Sequence, residues 1–95
     1  MLVWVIYDIS KDKARNRVAK YCKNYGLYRV QKSVFLGDLD KNGIDEVFLQ
    51  SQGLIDSEDS FYIFPMCDED FKKVKIAGVA FDSELVTNRI RTKCI

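Results

Sequence analysis

Residues 2–7, LVWVIY, are six consecutive apolar side chains that run straight into one carboxylate, Asp8. Val, Trp, Ile and Tyr favour extended backbone, and at period two both faces of the resulting strand are apolar. Leu2, Trp4, Ile6 and Asp8 share one face, and Val3, Val5 and Tyr7 share the other. Such a strand needs cover on both sides. An acid at its carboxyl end sits at a sheet edge, within reach of substrates and metals.

The segments that follow supply candidates for that cover. Residues 12–25 predict a helix, with Ser10 or Asp12 as cap and Gly26 as stop. Ala14, Val18, Tyr21, Cys22 and Tyr25 lie within an arc of about 100°, the width of a buried stripe. Arg15 and Arg17 flank that stripe on opposite sides, while Lys20 and Lys23 point outward. Lys11 and Lys13 crowd the positive end of the helix dipole, at a cost of roughly 0.3–1 kcal/mol per charge unless an anion lies nearby. They read either as a phosphate site or as solvated lysines.

Residues 28–39 are extended in character and predict two short strands turning near Gln31 and Lys32. Residues 40–54 predict a second helix, capped by Asp40 or Asn42, ended by Gly53, with Ile44, Val47, Phe48 and Ile55 inward. An acidic turn at 56–59 precedes another strand at 61–66, FYIFPM, again apolar in both phases and terminated by Pro65. Residues 73–79, KVKIAGV, alternate like an edge strand or one exchanged with a neighbour. The tail, residues 79–95, has no clear period and is left unassigned.

Strand, helix, strand pair, helix, strand is the order of an α+β, ferredoxin-like β-α-β-β-α-β sandwich, here a single domain with its core at 1–78. Both helices of that architecture lie on one face of the sheet. The second face is therefore expected to be covered by a second copy, giving a two-fold homodimer.

Composition narrows the chemistry. The 95 residues contain no histidine, which excludes Ser-His and Cys-His nucleophile pairs. Cys22, Cys67 and Cys94 are widely spaced, with no C-x-x-C pair, so neither a disulfide framework nor a zinc site is indicated and a cytoplasmic location is expected. No apolar run approaches the roughly 18 residues of a membrane span, and Asp8 interrupts any signal-peptide pattern. Charge is unevenly placed: residues 1–33 carry eight basic side chains against two acids, residues 34–70 ten acids against Lys41, and residues 71–95 six basic against two acids. The basic ends suit a polyphosphate partner, and the acidic middle must face away from it.

Hydrolysis in such a chain needs a metal. Magnesium keeps most of its waters and is held by one or two carboxylates plus substrate phosphates, so Asp8 and its symmetry mate at a dimer axis would suffice. Arg15, Arg17 and Arg29 would clamp adjacent phosphates. Each residue also has a plainer role: Asp8 as a cap for the turn into the first helix, Arg15 and Arg17 as stems laid on the core. Tyr7 and Phe35 fit base stacking or the core. Ser33 lacks a base to activate it. Asp45/Glu46 and Asp68/Glu69/Asp70 read as solvated faces.

Five segments in register, YDIS at 7–10, KARNRVAKYCKNYG at 13–26, RVQKSVFLG at 29–37, DSFYIFPMC at 59–67 and KVKIAG at 73–78, resemble the small CRISPR-associated endonuclease family, the second Cas protein, partner of the spacer integrase. The resemblance implies a ferredoxin-like homodimer whose strand at 73–78 crosses to the partner's sheet. It also implies that Asp8 of both chains shares one magnesium, or manganese in its place, with Tyr7, Arg15, Arg17, Arg29 and Phe35 at the family's other functional positions. The activity implied is metal-dependent cleavage of single-stranded RNA or double-stranded DNA. The alternative is a non-catalytic DNA-binding scaffold that bridges the spacer integrase during CRISPR adaptation, and a more remote one is a toxin-like RNA-cleaving relative of the same fold. From Val79 onward nothing matches.

Overall fold

The computed structural model describes residues 1–77, so the tail at 79–95 and the far end of the segment at 73–79 lie outside the described residues. β1 (Leu2–Asp8) is the centre of the sheet, followed by α1 (Asp12–Asn24), β2 (Tyr28–Gln31), β3 (Val34–Asp38), α2 (Lys41–Gln52), β4 (Ser60–Met66) and a short α3 (Asp68–Lys72). The strands form one antiparallel sheet in the order β2-β3-β1-β4, the order of the ferredoxin-like sandwich. No described helix is long and apolar enough to cross a membrane.

Alternation in β1 sorts the core. Val3, Val5 and Tyr7 face α1 and α2 and pack with Phe35 of β3, with Val18, Ala19 and Cys22 of α1, and with Val47 of α2. Gly26, with φ of 83°, ends the first helix as expected and turns the chain into β2. Gly37 lets β3 pass beneath that turn, because a Cβ there would meet Leu27 Cδ2 at 2.6 Å. On the other face Leu2, Val30 and Leu36 form a smaller cluster, flanked by Trp4, Tyr28, Val34 and Phe71.

Several local expectations are corrected. The N-cap of α1 is Lys11, without a side-chain capping bond. Ser10 instead bonds across to the loop before β4, and the Asp12 carboxylate pairs with Arg15. Asp40 does cap α2, accepting from Gly43 N at 2.7 Å, but Phe48 lies at the rim of the core and is 39% exposed. Pro65 does not end its strand: it pairs with Val3 inside β4, which is tolerated because β4 is an edge strand. Asp68, Glu69 and Asp70 form the first turn of α3, where acids favour the helix dipole, and Phe71 on its last turn reaches Trp4. Sequence periodicity missed α3 because a five-residue helix shows no repeat. Residues 73–77 pair with no strand among the described residues.

The second sheet face is thus only partly covered. Ile6, Tyr62 and Phe64 stay 37%, 52% and 48% exposed, with the Tyr62 and Phe64 rings stacked at 5.9 Å. Asp8 lies on this same open face, two residues beyond Ile6.

Candidate nucleic-acid and metal site

β1 ends where Asp8 pairs with Ser60, and the chain then turns into α1 through Ile9, Ser10 and Lys11. The Asp8 side chain is exposed, and its carboxylate makes no hydrogen bond or ion pair with any described residue. The cap role is thereby removed. The turn is held by other groups: Ser10 N and Ser10 Oγ both donate to Asp59 Oδ1 at 3.1 Å, and Asp56 N donates to Asp59 Oδ2 at 2.9 Å. The Asp56 amide, then the Ser10 amide, hold the Asp59 carboxyl below the usual carboxylate range. Lys11 pairs with Asp56 at 2.8 Å, which keeps its ammonium above its ordinary value. An internal anion therefore answers the charge of Lys11 at the helix start, and no phosphate is needed to explain it.

Beside this turn lies an open groove of about 850 Å³ lined by Arg15, Arg29, Val30, Gln31, Lys32 and Ser33. Arg15 Nη1 donates to Ile9 O at 3.2 Å, directly after Asp8, and Nη2 pairs with Asp12. Arg29 Nε and Nη2 both donate to Lys32 O, at 3.2 and 2.7 Å, and its guanidinium sits 5.5 Å from the centre of the Phe35 ring. Each of these two arginines thus commits two nitrogens to described residues. Arg17 is exposed and has no such bond among the described residues. Arg15 is half-buried and hydrogen-bonds to the turn, whereas Arg17 is exposed.

Base stacking by Tyr7 and Phe35 is corrected by burial. Phe35 has no exposed surface and Tyr7 is 3% exposed, its ring between those of Phe35 at 6.3 Å and Phe61 at 6.4 Å. Both residues support the site from below: Phe35 carries Arg29, and Tyr7 N donates to Ser33 O at 3.1 Å. Burial, then the neighbouring Cys22 thiol, pushes the Tyr7 phenol up, against the opposing pull of Arg29. Burial also pushes the Cys22 thiol up to about 12, so it is no nucleophile at neutral pH.

Among the described residues no group of three or more His, Cys, Asp or Glu could hold a metal ion. At the end of β1, Asp8 is a hard oxygen ligand with no side-chain partner among the described residues. That donor fits magnesium, whose other positions are filled by water and phosphate, and does not fit a closed four-ligand zinc site. The sequence reading missed Ser10 and Asp59 as partners and Gln31 and Lys32 as groove lining. No sequence signal marked the first pair: only the folded register, with Asp8 opposite Ser60, brings the residues just beyond them together.

The sequence model of the family described as CRISPR associated protein Cas2 matches residues 1–74. The chain is 40% identical over 81 residues to the CRISPR-associated endoribonuclease Cas2 of Desulforudis audaxviator, covering 84% of this chain and 76% of the relative. It is 41% identical over 73 residues to the protein of the same name in Korarchaeum cryptofilum, covering 74% and 76%. Among solved structures, Cas2 of Streptococcus pyogenes at pH 6.5 superposes with a TM-score of 0.70 at 28% identity, over 82% of this chain and 100% of that one. A hypothetical protein from Thermus thermophilus gives 0.71 at 34%, over 83% and 92%.

Proposed function

The chain belongs to the CRISPR associated protein Cas2 family, and from that premise we propose that it is a metal-dependent endonuclease of CRISPR adaptation, cleaving phosphodiester bonds as a homodimer. The observation that carries the reading is Asp8, an exposed carboxylate at the end of a buried strand with no partner among the described residues. A charged group that the fold does not use is free for a ligand. Two copies pressing Ile6, Tyr62 and Phe64 together would also bring their Asp8 residues toward one another, since all lie on one sheet face.

In this reading Asp8 of both protomers holds one magnesium or manganese ion. The ion, when bound, acidifies a water and offsets charge on the phosphate. Arg15 and Arg29 line the groove and orient the backbone of the nucleic acid with the N–H groups they have not spent on Ile9 and Lys32. Arg17 adds a phosphate contact from the exposed side of α1. The names of the relatives, endoribonucleases, favour single-stranded RNA as the first substrate to test, with double-stranded DNA as the second. The segment at 73–79 is proposed to cross to the partner's sheet, and the spacer integrase is the proposed protein partner, in the cytoplasm.

A second reading, a non-catalytic scaffold gripping DNA, is favoured by the groove being arginine-lined while no group of three or more His, Cys, Asp or Glu gathers among the described residues. Asp8→Asn separates the two. The expected outcome is loss of magnesium-dependent cleavage with sedimentation and nucleic-acid binding unchanged. Cleavage at the wild-type rate in that variant sinks the hydrolytic reading and leaves the scaffold.

A further inference from the structure

We propose that Asp59 is a positioning residue for Asp8, latching the turn that follows it and so fixing the Asp8 carboxylate as a metal ligand; this rests on the reading of Asp8 as the metal-holding group. Three donors converge on the one Asp59 carboxylate. The Ser10 amide and hydroxyl both reach Oδ1 at 3.1 Å, and the Asp56 amide reaches Oδ2 at 2.9 Å. The Ser10 bonds join segments 49 residues apart in the chain.

What makes this a device for Asp8 is the register. Asp59 immediately precedes Ser60, the residue that pairs with Asp8 at the last rung of the β1–β4 ladder. A closed ring results, from Asp8 along the turn to Ser10, across to Asp59, on to Ser60 and back to Asp8. The backbone of Asp8 is thereby fixed from both sides while its side chain stays unbonded within the chain. No side chain caps α1, so Asp59 is the group that satisfies the Ser10 amide at the entry to that helix. The Lys11–Asp56 pair is a second tie between the same loops, but it joins exposed groups and is screened by solvent.

Groups that orient a metal ligand typically change metal affinity 10- to 100-fold when removed, because the ligand loses its preset geometry. The test uses the full chain with manganese as the probe ion, titrated by electron paramagnetic resonance, in the wild type and in Asp59→Ala, Asp59→Asn and Asp8→Asn. Asp59→Ala is expected to weaken manganese binding about tenfold, to speed hydrogen exchange at the Ser10 amide, and to lower kcat for RNA cleavage. Asp59→Asn keeps a carbonyl oxygen for the Ser10 donors and is expected to recover most of the affinity. Wild-type manganese affinity in Asp59→Ala, together with faster Ser10 exchange, overturns the proposal. If Asp59→Ala does not fold, the near-isosteric Asp59→Leu, which removes the acceptor for all three donors, takes its place: weaker binding supports the latch, and unchanged binding overturns it. Asp8→Asn binding manganese as the wild type does would sink the metal reading and the proposal with it. A loss in Asp8→Asn with none in Asp59→Ala sinks the latch alone.

Discussion

On the sheet face turned toward α1 and α2, Val3, Val5 and Phe35 have no exposed surface, whereas on the opposite face Tyr62 and Phe64 remain about half exposed. Both faces come from the same alternating strands. The first is closed by helices within the chain, and the second is covered at the Trp4 end by Phe71 and left open toward Ile6 and Asp8. The described residues form two long helices, and the fold puts both on one side. The first face therefore carries the stability of the protomer. The second is free to carry association and chemistry.

The strongest way to break that contrast is to cut into the closed face. Phe35 is fully buried, touches the Tyr7 ring and lies under the Arg29 guanidinium. Phe35→Ala is expected to cost about 3–5 kcal/mol in denaturant unfolding, the range for emptying a large core position. A loss below about 1 kcal/mol would mean that this face is not the one that holds the protomer together.

The open face gives the next largest effect. Burying one phenylalanine contributes about 1.5–3 kcal/mol, and a two-fold interface uses each residue twice. Phe64→Asp is therefore expected to shift the proposed dimer to monomer at micromolar concentration in analytical ultracentrifugation, with the far-ultraviolet circular dichroism of the folded chain retained. Wild-type sedimentation in this variant would place the interface elsewhere and remove the route by which two Asp8 carboxylates meet.

The two faces also differ in how much of them sequence alone reveals. The unbroken apolar run at residues 2–7, the Gly26 stop and the turn at Lys32 are local signals, and the structure reproduces the elements they imply. Phe48 misled because a helical stripe gives direction without depth: it points toward the sheet but ends at the rim beside Phe61. For Tyr7 and Phe35 base stacking and the core were both open from the sequence, and the structure places them in the core with Val3 and Val5. At the candidate site, Asp8 and the arginines were legible as residue types near one strand end. The Asp59 bonds to Ser10 and the Arg29 bonds to Lys32 were not, because each depends on which loops the sheet brings together or on how a turn closes.

The smallest effect lies at the seam between the two regions, where Asp59 ties the β1–α1 turn to the loop before β4. Its folded carboxyl titrates below the ordinary carboxylate range because the Asp56 and Ser10 amides bond its ionised form. A group whose folded pKa is depressed adds stability that is fully present above its unfolded pKa, about 3.9 for aspartate, and is lost as the pH falls through the lower folded value. The difference in melting temperature between wild type and Asp59→Asn is therefore expected to be constant above about pH 5 and to shrink below about pH 4. Solvent screening keeps that difference small, since the carboxylate lies at the surface. A difference that grows on acidification would reverse the sign and show that the ionised carboxylate strains the turn instead of securing it.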